Sequence, residues 1–410
     1  MQHYFKDTDL IVSSVLITSA WVRSSYAALR NLTGDGVRVS VADSRGLGMC
    51  QASRRKSRFS RYRSHYADEA SFVEDVASIC RAQSIGLVLP SHNETEILSR
   101  HRDQLAPGQD ALLPDAAHCA LFNDKARSYE FAKSRGVPVP LRVEYDDVDE
   151  LADSLDGLGL QRCVIKLRTG NSAKGVFYAD SPTEAADTVR KLIQDCDLPP
   201  DRLPQVEEYV SGEGWGCSVL YWHGRRVASF THRRVREKIA TGGTSTLRET
   251  VMDSMIEPAA LRIFDQIGWH GLAMSEWKVC PNTGRFWFVE VNPRMWGSIA
   301  LPISAGVEFP YLAWLCATEG EEEARAYQGQ SVVRHPWRSR WLLGDLTVGA
   351  RQLLSGDLRS AYNTLFQANA DALDDFFGDD PLVFFGELGV YIENVVKGRS
   401  LNPVEKGMIG

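Results

Sequence analysis

Phe288-Val289-Glu290-Val291-Asn292-Pro293-Arg294 reads as the end of a β-strand that carries two polar side chains out of an apolar setting. Alternation of period two puts Glu290 and Asn292 on one side of such a strand and Trp287, Val289 and Val291 on the other. Upstream, Gly271 to Val279 reads as a second strand and carries Glu276, and Pro281-Asn282-Thr283-Gly284 between the two is turn chemistry for an antiparallel hairpin. Folding about that turn sets Glu276 opposite Val289 or Glu290. Carboxylates that face one another across a ladder repel by up to ~1 kcal/mol, so the pair calls for a cation. Two carboxylates and an amide oxygen suit Mg²⁺, which takes few protein ligands and fills its shell with phosphate oxygens and water. Glu276, Glu290 and Asn292 are the expected metal ligands. Arg294, just past the strand end, can grip a phosphate or carboxylate with its forked guanidinium. As an isolated pair the glutamates read sooner as solvent-facing strand residues; Asn292 and Arg294 in register turn the balance toward a site.

Val164-Ile165-Lys166-Leu167 places a lysine inside another apolar strand, where its charge needs a partner. The loop Arg168 to Val176 follows. Gly170 and Gly175 have P-loop spacing, but Val176-Phe177 stands where Lys-Ser or Lys-Thr would be required, and both flanks look like strands. A strand-loop-strand flap whose backbone N–H groups close over polyphosphate fits Gly170, Ser172 and Gly175 instead, with an ordinary hairpin turn as the plainer reading. Lys125, in Asn123-Asp124-Lys125, starts a helix and on its own reads as a solvated surface lysine.

With 410 residues, 44% of them hydrophobic and 24% charged, the chain has material for two or three domains. A net charge of -7 gives no overall pull toward nucleic acid or anionic membrane. No run approaches the ~20 apolar residues of a membrane span. The eight cysteines include no Cys-x-x-Cys pair and no clustering with histidine, which reads as reduced thiols and a cytoplasmic location. The basic run Arg54 to Arg63 has interleaved aromatics, yet in an acidic chain it reads as a surface loop or a site for an anionic substrate before it reads as a nucleic-acid patch. A second basic run, Thr231 to Lys238, followed by Gly242-Gly243-Thr244-Ser245, reads alone as a solvated face. Between the lysine strand and the carboxylate strands it is placed to cover a transferring phosphate, with Arg234 as the candidate catalytic cation.

Toward the N-terminus, Leu10 to Thr18, Ser25 to Leu32, Gly36 to Val41 and Gly86 to Pro90 give a βαβ pattern. Its first turn, Ile17 to Trp21, lacks the glycine fingerprint of a dinucleotide site. A helix is expected over about Asp115 to Arg135, ended by Gly136-Val137-Pro138-Val139-Pro140, with a domain boundary nearby. Gln205 to Val210 is a further strand.

In order along about Leu113 to Leu315, Asp124-Lys125, Val164-Ile165-Lys166, the glycine flap, the segment Gln205 to Gly212, Glu276 and the Glu-x-Asn-x-Arg strand resemble the ATP-grasp superfamily of carboxylate-amine ligases. Thr231 to Glu237, Thr241 to Glu249 and Asn292 to Ser298 resemble more narrowly a bacterial group of predicted ATP-grasp carboligases. The resemblance implies an α/β and α+β chain: a Rossmann-like domain over 1-114, an ATP-grasp module over 115-325 with a lid at about 140-205, and a mostly helical C-terminal extension over 326-410. It implies that Lys125 and Lys166 contact ATP phosphates and that Glu207, Glu208, Tyr209 and Val210 meet adenine. Mg²⁺ would be held by Glu276, Glu290 and Asn292, with Lys166, Arg234 and Arg294 acting on the reacting groups. Glu213 is the one candidate for the ribose. The implied activity is ATP-dependent amide formation from small-molecule carboxylate and amine substrates through an acyl phosphate, with a homodimer as the candidate assembly. A phosphotransferase and a non-catalytic ATP-binding scaffold are the alternatives.

Overall fold

The computed structural model describes residues 14–170, 175–238, 243–252 and 254–397. Three sheets organise them. The first is parallel, ordered β3-β2-β1-β4 from β1 (Ser14–Ile17), β2 (Arg38–Asp43), β3 (Arg58–Arg61) and β4 (Leu87–Leu89). Its strands are apolar runs because helices cover both faces, chiefly Arg23–Gly34 and Glu69–Gln83. β3 lies within the basic run Arg54 to Arg63, so part of that stretch is an edge strand and not a loop. Two of its charges are paired: Arg63 with Glu74 and Asp75, and Arg55 with Asp379.

A small antiparallel sheet, ordered β5-β8-β6-β7, takes β5 (Arg142–Val143), β6 (Cys163–Lys166), β7 (Val176–Ala179) and β8 (Gln205–Glu208). Helices Leu151–Gly157 and Pro182–Asp195 seal one face around Leu155, Ile165, Val189 and Val206. The expected helix over 115 to 135 is two helices, Ala116–Asn123 and Lys125–Ser134. Asp124 breaks the run because its carboxylate caps the second helix through the amides of Ala126 and Arg127.

The third sheet has seven strands in the order β13-β12-β9-β10-β11-β14-β15. They are β9 (Glu213–Trp222), β10 (Arg225–Glu237), β11 (Ser245–Val251), β12 (Gly271–Val279), β13 (Phe286–Asn292), β14 (Arg338–Arg340) and β15 (Ala372–Leu373). β14 and β15 come from the C-terminal segment, which extends the sheet with helices Leu342–Leu354 and Leu358–Phe366 between the two strands and Leu382–Val396 after them. One face of the large sheet, with Trp277 of β12, packs on Phe122, Phe264 and Trp269; the apolar ends of β9, β10 and β12 join the N-terminal domain in a single core with Trp296 and Phe309. Among the described residues no helix is long and apolar enough to cross a membrane.

Candidate functional site

A cleft of about 540 Å³ opens where the small sheet, the large sheet and the N-terminal domain meet. The hairpin expected from the sequence forms β12 and β13, with Gly284 in the left-handed region at φ 69° closing the turn. Glu276 stands directly across the ladder from Glu290, and Met274 across from Asn292. The pairing slips after Glu276, so that Trp277 faces Phe288 and Val289 is the extra residue of a bulge. This corrects the expected alternation: Phe288 and Val291 enter the core, while Val289 lines the cleft beside Glu290 and Asn292. The bulge leaves the shared face of Glu290 and Asn292 intact.

The carboxylates are already compensated in part. Arg234 pairs with Glu276 and, at 3.2 Å, with Glu237; Lys125 lies 3.4 Å from Glu290. Asn292 Nδ2 donates to Glu276 Oε1 at 3.1 Å. Burial pushes the Glu276 carboxyl above its ordinary range against the pull of Arg234, and the Glu290 charge adds to the rise. A hard divalent cation would relieve that cost, and two carboxylates with the amide oxygen of Asn292 fit it. Among the described residues no three His, Cys, Asp or Glu side chains gather as a metal cluster, so any ion here takes the rest of its shell from substrate and water.

Lys125 is 9% exposed, not a surface lysine. Its backbone N–H bonds to Arg168 O at 2.8 Å and its ammonium donates to Gly170 O at 2.7 Å, which ties the helix start to the flap. Lys166, 8% exposed, donates to the buried Glu207 carboxylate at 2.6 Å, so adjacent strands β6 and β8 supply both members of the pair. Gly170, Glu207, Glu208, Tyr209 and Val210 also line the cleft. Gly175, at φ 79°, accepts from Leu167 N across the root of the flap; Ser172 lies outside the described residues. Arg294 lines the cleft with its guanidinium donating to Met295 O at 3.0 Å, and burial makes its charge harder to hold.

Glu213 is elsewhere. It pairs with Arg233 at 3.6 Å and accepts from the Trp215 indole, and it does not line the cleft, so the structure does not bring the ribose candidate together with the other site residues. Glu237 and Lys278 do line it. A register shift between Arg234 and Arg236 divides the basic run: Arg234 enters the cleft, whereas Arg236 turns to Asp345 and Thr364 O. Glycines at 214 and 216 allow this packing, since a Cβ at either would come within 3 Å of Arg234 or of the His232 ring. Trp21, Arg23, Trp341 and Tyr391 complete the cleft, and sequence reading missed them. The turn Ile17 to Trp21 was a signal for the first, but nothing local marks the others.

No protein-family model matches the sequence, and no curated protein does. Solved structures do match. A biotin carboxylase from Campylobacter jejuni, in a β,γ-ATP complex, superposes with a TM-score of 0.59 at 14% identity, covering 75% of this chain and 71% of that one. N5-carboxyaminoimidazole synthetase from Staphylococcus aureus complexed with ADP gives 0.58 at 14%, covering 75% and 77%. An L-amino acid ligase from Bacillus licheniformis gives 0.58 at 14%, covering 79% and 77%. The chain shares the fold of these enzymes, the ATP-grasp fold.

Proposed function

We propose that the protein is an ATP- and Mg²⁺-dependent carbon-nitrogen ligase that activates a carboxylate as an acyl phosphate. The carrying observation is the Glu276–Glu290 pair opposed across one ladder, with Asn292 on the same face and Lys125, Lys166, Arg234 and Arg294 in the same cleft. The nucleotides in the C. jejuni and S. aureus structures support ATP as the partner of that set. Bound Mg²⁺ would neutralise phosphate charge and orient the γ-phosphoryl group for in-line transfer.

The chain's own residues do the rest. Lys125 and Lys166 draw the phosphates against the flap root, and Glu207 holds the Lys166 ammonium in place. Arg294 orients the substrate carboxylate. One carboxylate oxygen attacks the γ-phosphorus, the bond from that phosphorus to the bridging oxygen breaks, and ADP leaves. An amine nitrogen then attacks the acyl carbon, the carbon–oxygen bond to phosphate breaks, and the amine gives up its proton as amide and phosphate separate. Closure of the small sheet over the cleft keeps water from the acyl phosphate.

The test is ADP release from a panel of carboxylic acids, each with and without amines. Amine-dependent release is expected for a ligase; release that never depends on amine, with a stable phosphorylated product, would identify a phosphotransferase. Glu290→Gln is expected to lower kcat by about 10²-fold while ATP still binds. Full turnover in that variant would remove Glu290 from the metal set.

A further inference from the structure

The cleft holds two groups of cations that answer to different carboxylates. Lys125, Lys166 and Arg234 pair with Glu290, Glu207 and Glu276. Arg23 belongs to the second group, with Asp374 at 3.5 Å and Glu387 at 3.7 Å, and its guanidinium stacks over the Trp341 ring at 3.6 Å. The Lys238 ammonium stands over the same ring at 5.2 Å and over Tyr391 at 5.0 Å. Its backbone N–H bonds to Thr244 O at 3.0 Å, which holds the end of β10 beside the cleft. Arg23, Lys238, Thr244, Trp341, Glu387 and Tyr391 all line the cleft. A Cβ on Gly297, three residues after Arg294, would stand 3.8 Å from the Arg23 guanidinium, so this group faces the segment that follows Arg294.

Acids near the second group offset only part of its charge. Asp374 is divided between Arg23 and Arg248. Burial and the neighbouring Asp375 raise the Glu387 carboxyl well above its ordinary range, which favours the protonated form, a donor and not a counter-ion. Burial, with Arg23 and Arg351 nearby, lowers the Lys238 ammonium to about 8, so it keeps its charge near pH 7 and an anion beside it would offset the cost. Among the described residues, Arg23 Nη1 and Glu387 Oε2 are buried with no hydrogen-bond partner. Arg23 also opens the helix Arg23–Gly34, whose N-cap Val22 supplies no side-chain acceptor and whose first turn holds no acid, so the positive end of the helix adds to the two cations. Two cations, a protonated carboxyl and unmet hydrogen-bonding groups in one place are chemistry for an oxyanion.

We propose that Arg23 and Lys238, held on the Trp341 and Tyr391 rings, form a subsite for an oxyanionic group, and that one of the two substrates, the acid or the amine, carries such a group besides the one that reacts. The subsite stands on its own contacts; its assignment to a substrate rests on the ligase reading.

Sulfate is titrated calorimetrically into the whole chain as wild type, Lys238→Met, Lys238→Arg and Lys125→Met. Wild type is expected to bind, Lys238→Met about tenfold more weakly, and Lys238→Arg and Lys125→Met within about twofold of wild type. No binding to wild type, equal affinity in Lys238→Met, or an equal loss in Lys125→Met overturns the subsite. With ATP and Mg²⁺, ADP release is then measured for butanoate and succinate, each with ethylamine and with taurine. A kcat/KM about tenfold higher for succinate than for butanoate assigns the oxyanion to the acid, one about tenfold higher for taurine than for ethylamine assigns it to the amine, and either preference is expected to vanish in Lys238→Met. ADP release with neither preference, or with one that survives in Lys238→Met, overturns the assignment to a substrate. If no pair releases ADP, that counts against the ligase reading alone, and the sulfate titration decides the subsite. If Lys238→Met does not fold, Arg23→Met carries the same expectations.

Discussion

Glu276 concentrates the electrostatic cost of the site in one side chain. Burial and Glu290 raise its proton affinity, Arg234 opposes them, and the balance is a carboxyl above the ordinary range. Metal and phosphate chemistry need the ionised form. Activity is therefore expected to fall as pH drops through this raised value, so the acid limb of kcat/KM lies above the ordinary carboxylate range near pH 4.5. Saturating Mg²⁺ should move that limb to lower pH, since a cation favours the carboxylate. A limb at the ordinary value, or one indifferent to Mg²⁺, would show that Glu276 ionisation is not limiting. Turn chemistry at 281 to 284 narrowed the partner of Glu276 to Val289 or Glu290, and the bulge at Val289 decides for Glu290. The sequence did not reveal Arg234 as the counter-charge, since that contact crosses from β10 to β12 over the intervening β9.

At the scale of strands, β9 and β10 are built around a buried histidine. Residues 216 and 232 are cross-strand partners, and the ring of His232 lies where a Cβ on Gly216 would stand, at 2.5 Å. His232 Nε2 lies 3.2 Å from Ser298 Oγ, which carries the strand's order into the cleft. Burial, with Arg234 and Arg248 nearby, pushes the imidazole down to about 3, so it stays neutral in the folded protein. Its folded value lies below the unfolded one. The stabilisation is thus complete above about pH 6.5 and is lost as pH falls toward the folded value, by about 2 kcal/mol between pH 7 and 5. Urea unfolding at those two pH values, in wild type and His232→Asn, measures it; equal losses in both would exonerate the histidine. Neither strand was read from the sequence, where Thr231 to Lys238 stood only as a basic run, whereas the β12-β13 hairpin and the strand of Lys166 were legible. The bulges at Val289 and between Arg234 and Arg236 were not, because a bulge answers to packing across the sheet and leaves no local mark.

Across the whole molecule, the C-terminal segment links parts of the chain that the sequence presents as separate. β14 and β15 extend the large sheet, Asp374 pairs with both Arg23 and Arg248, and Tyr26 donates to Asp380 at 3.2 Å. Partners this far apart, 354 residues for Tyr26 and Asp380, carry no periodicity for a reader to find, so the segment read only as a mostly helical extension. In the structure the helix Leu382–Val396 lies against Met49–Ala52 of the N-terminal domain so closely that a Cβ on Gly386 would meet Gly48 O at 2.5 Å. Gly386→Val must push the helix away, at a cost of about 1–3 kcal/mol. Val390 and Tyr391 lie one turn further along the same helix and line the cleft. The variant is therefore expected to show a lower Tm together with a higher KM for the acid and an unchanged Kd for ATP, because the contacts proposed for the nucleotide lie on β6, β8 and the start of Lys125–Ser134. Thermal unfolding, steady-state kinetics and nucleotide titration separate the outcomes. A lower Tm with an unaltered KM would mean that the segment stabilises the fold without shaping the substrate site.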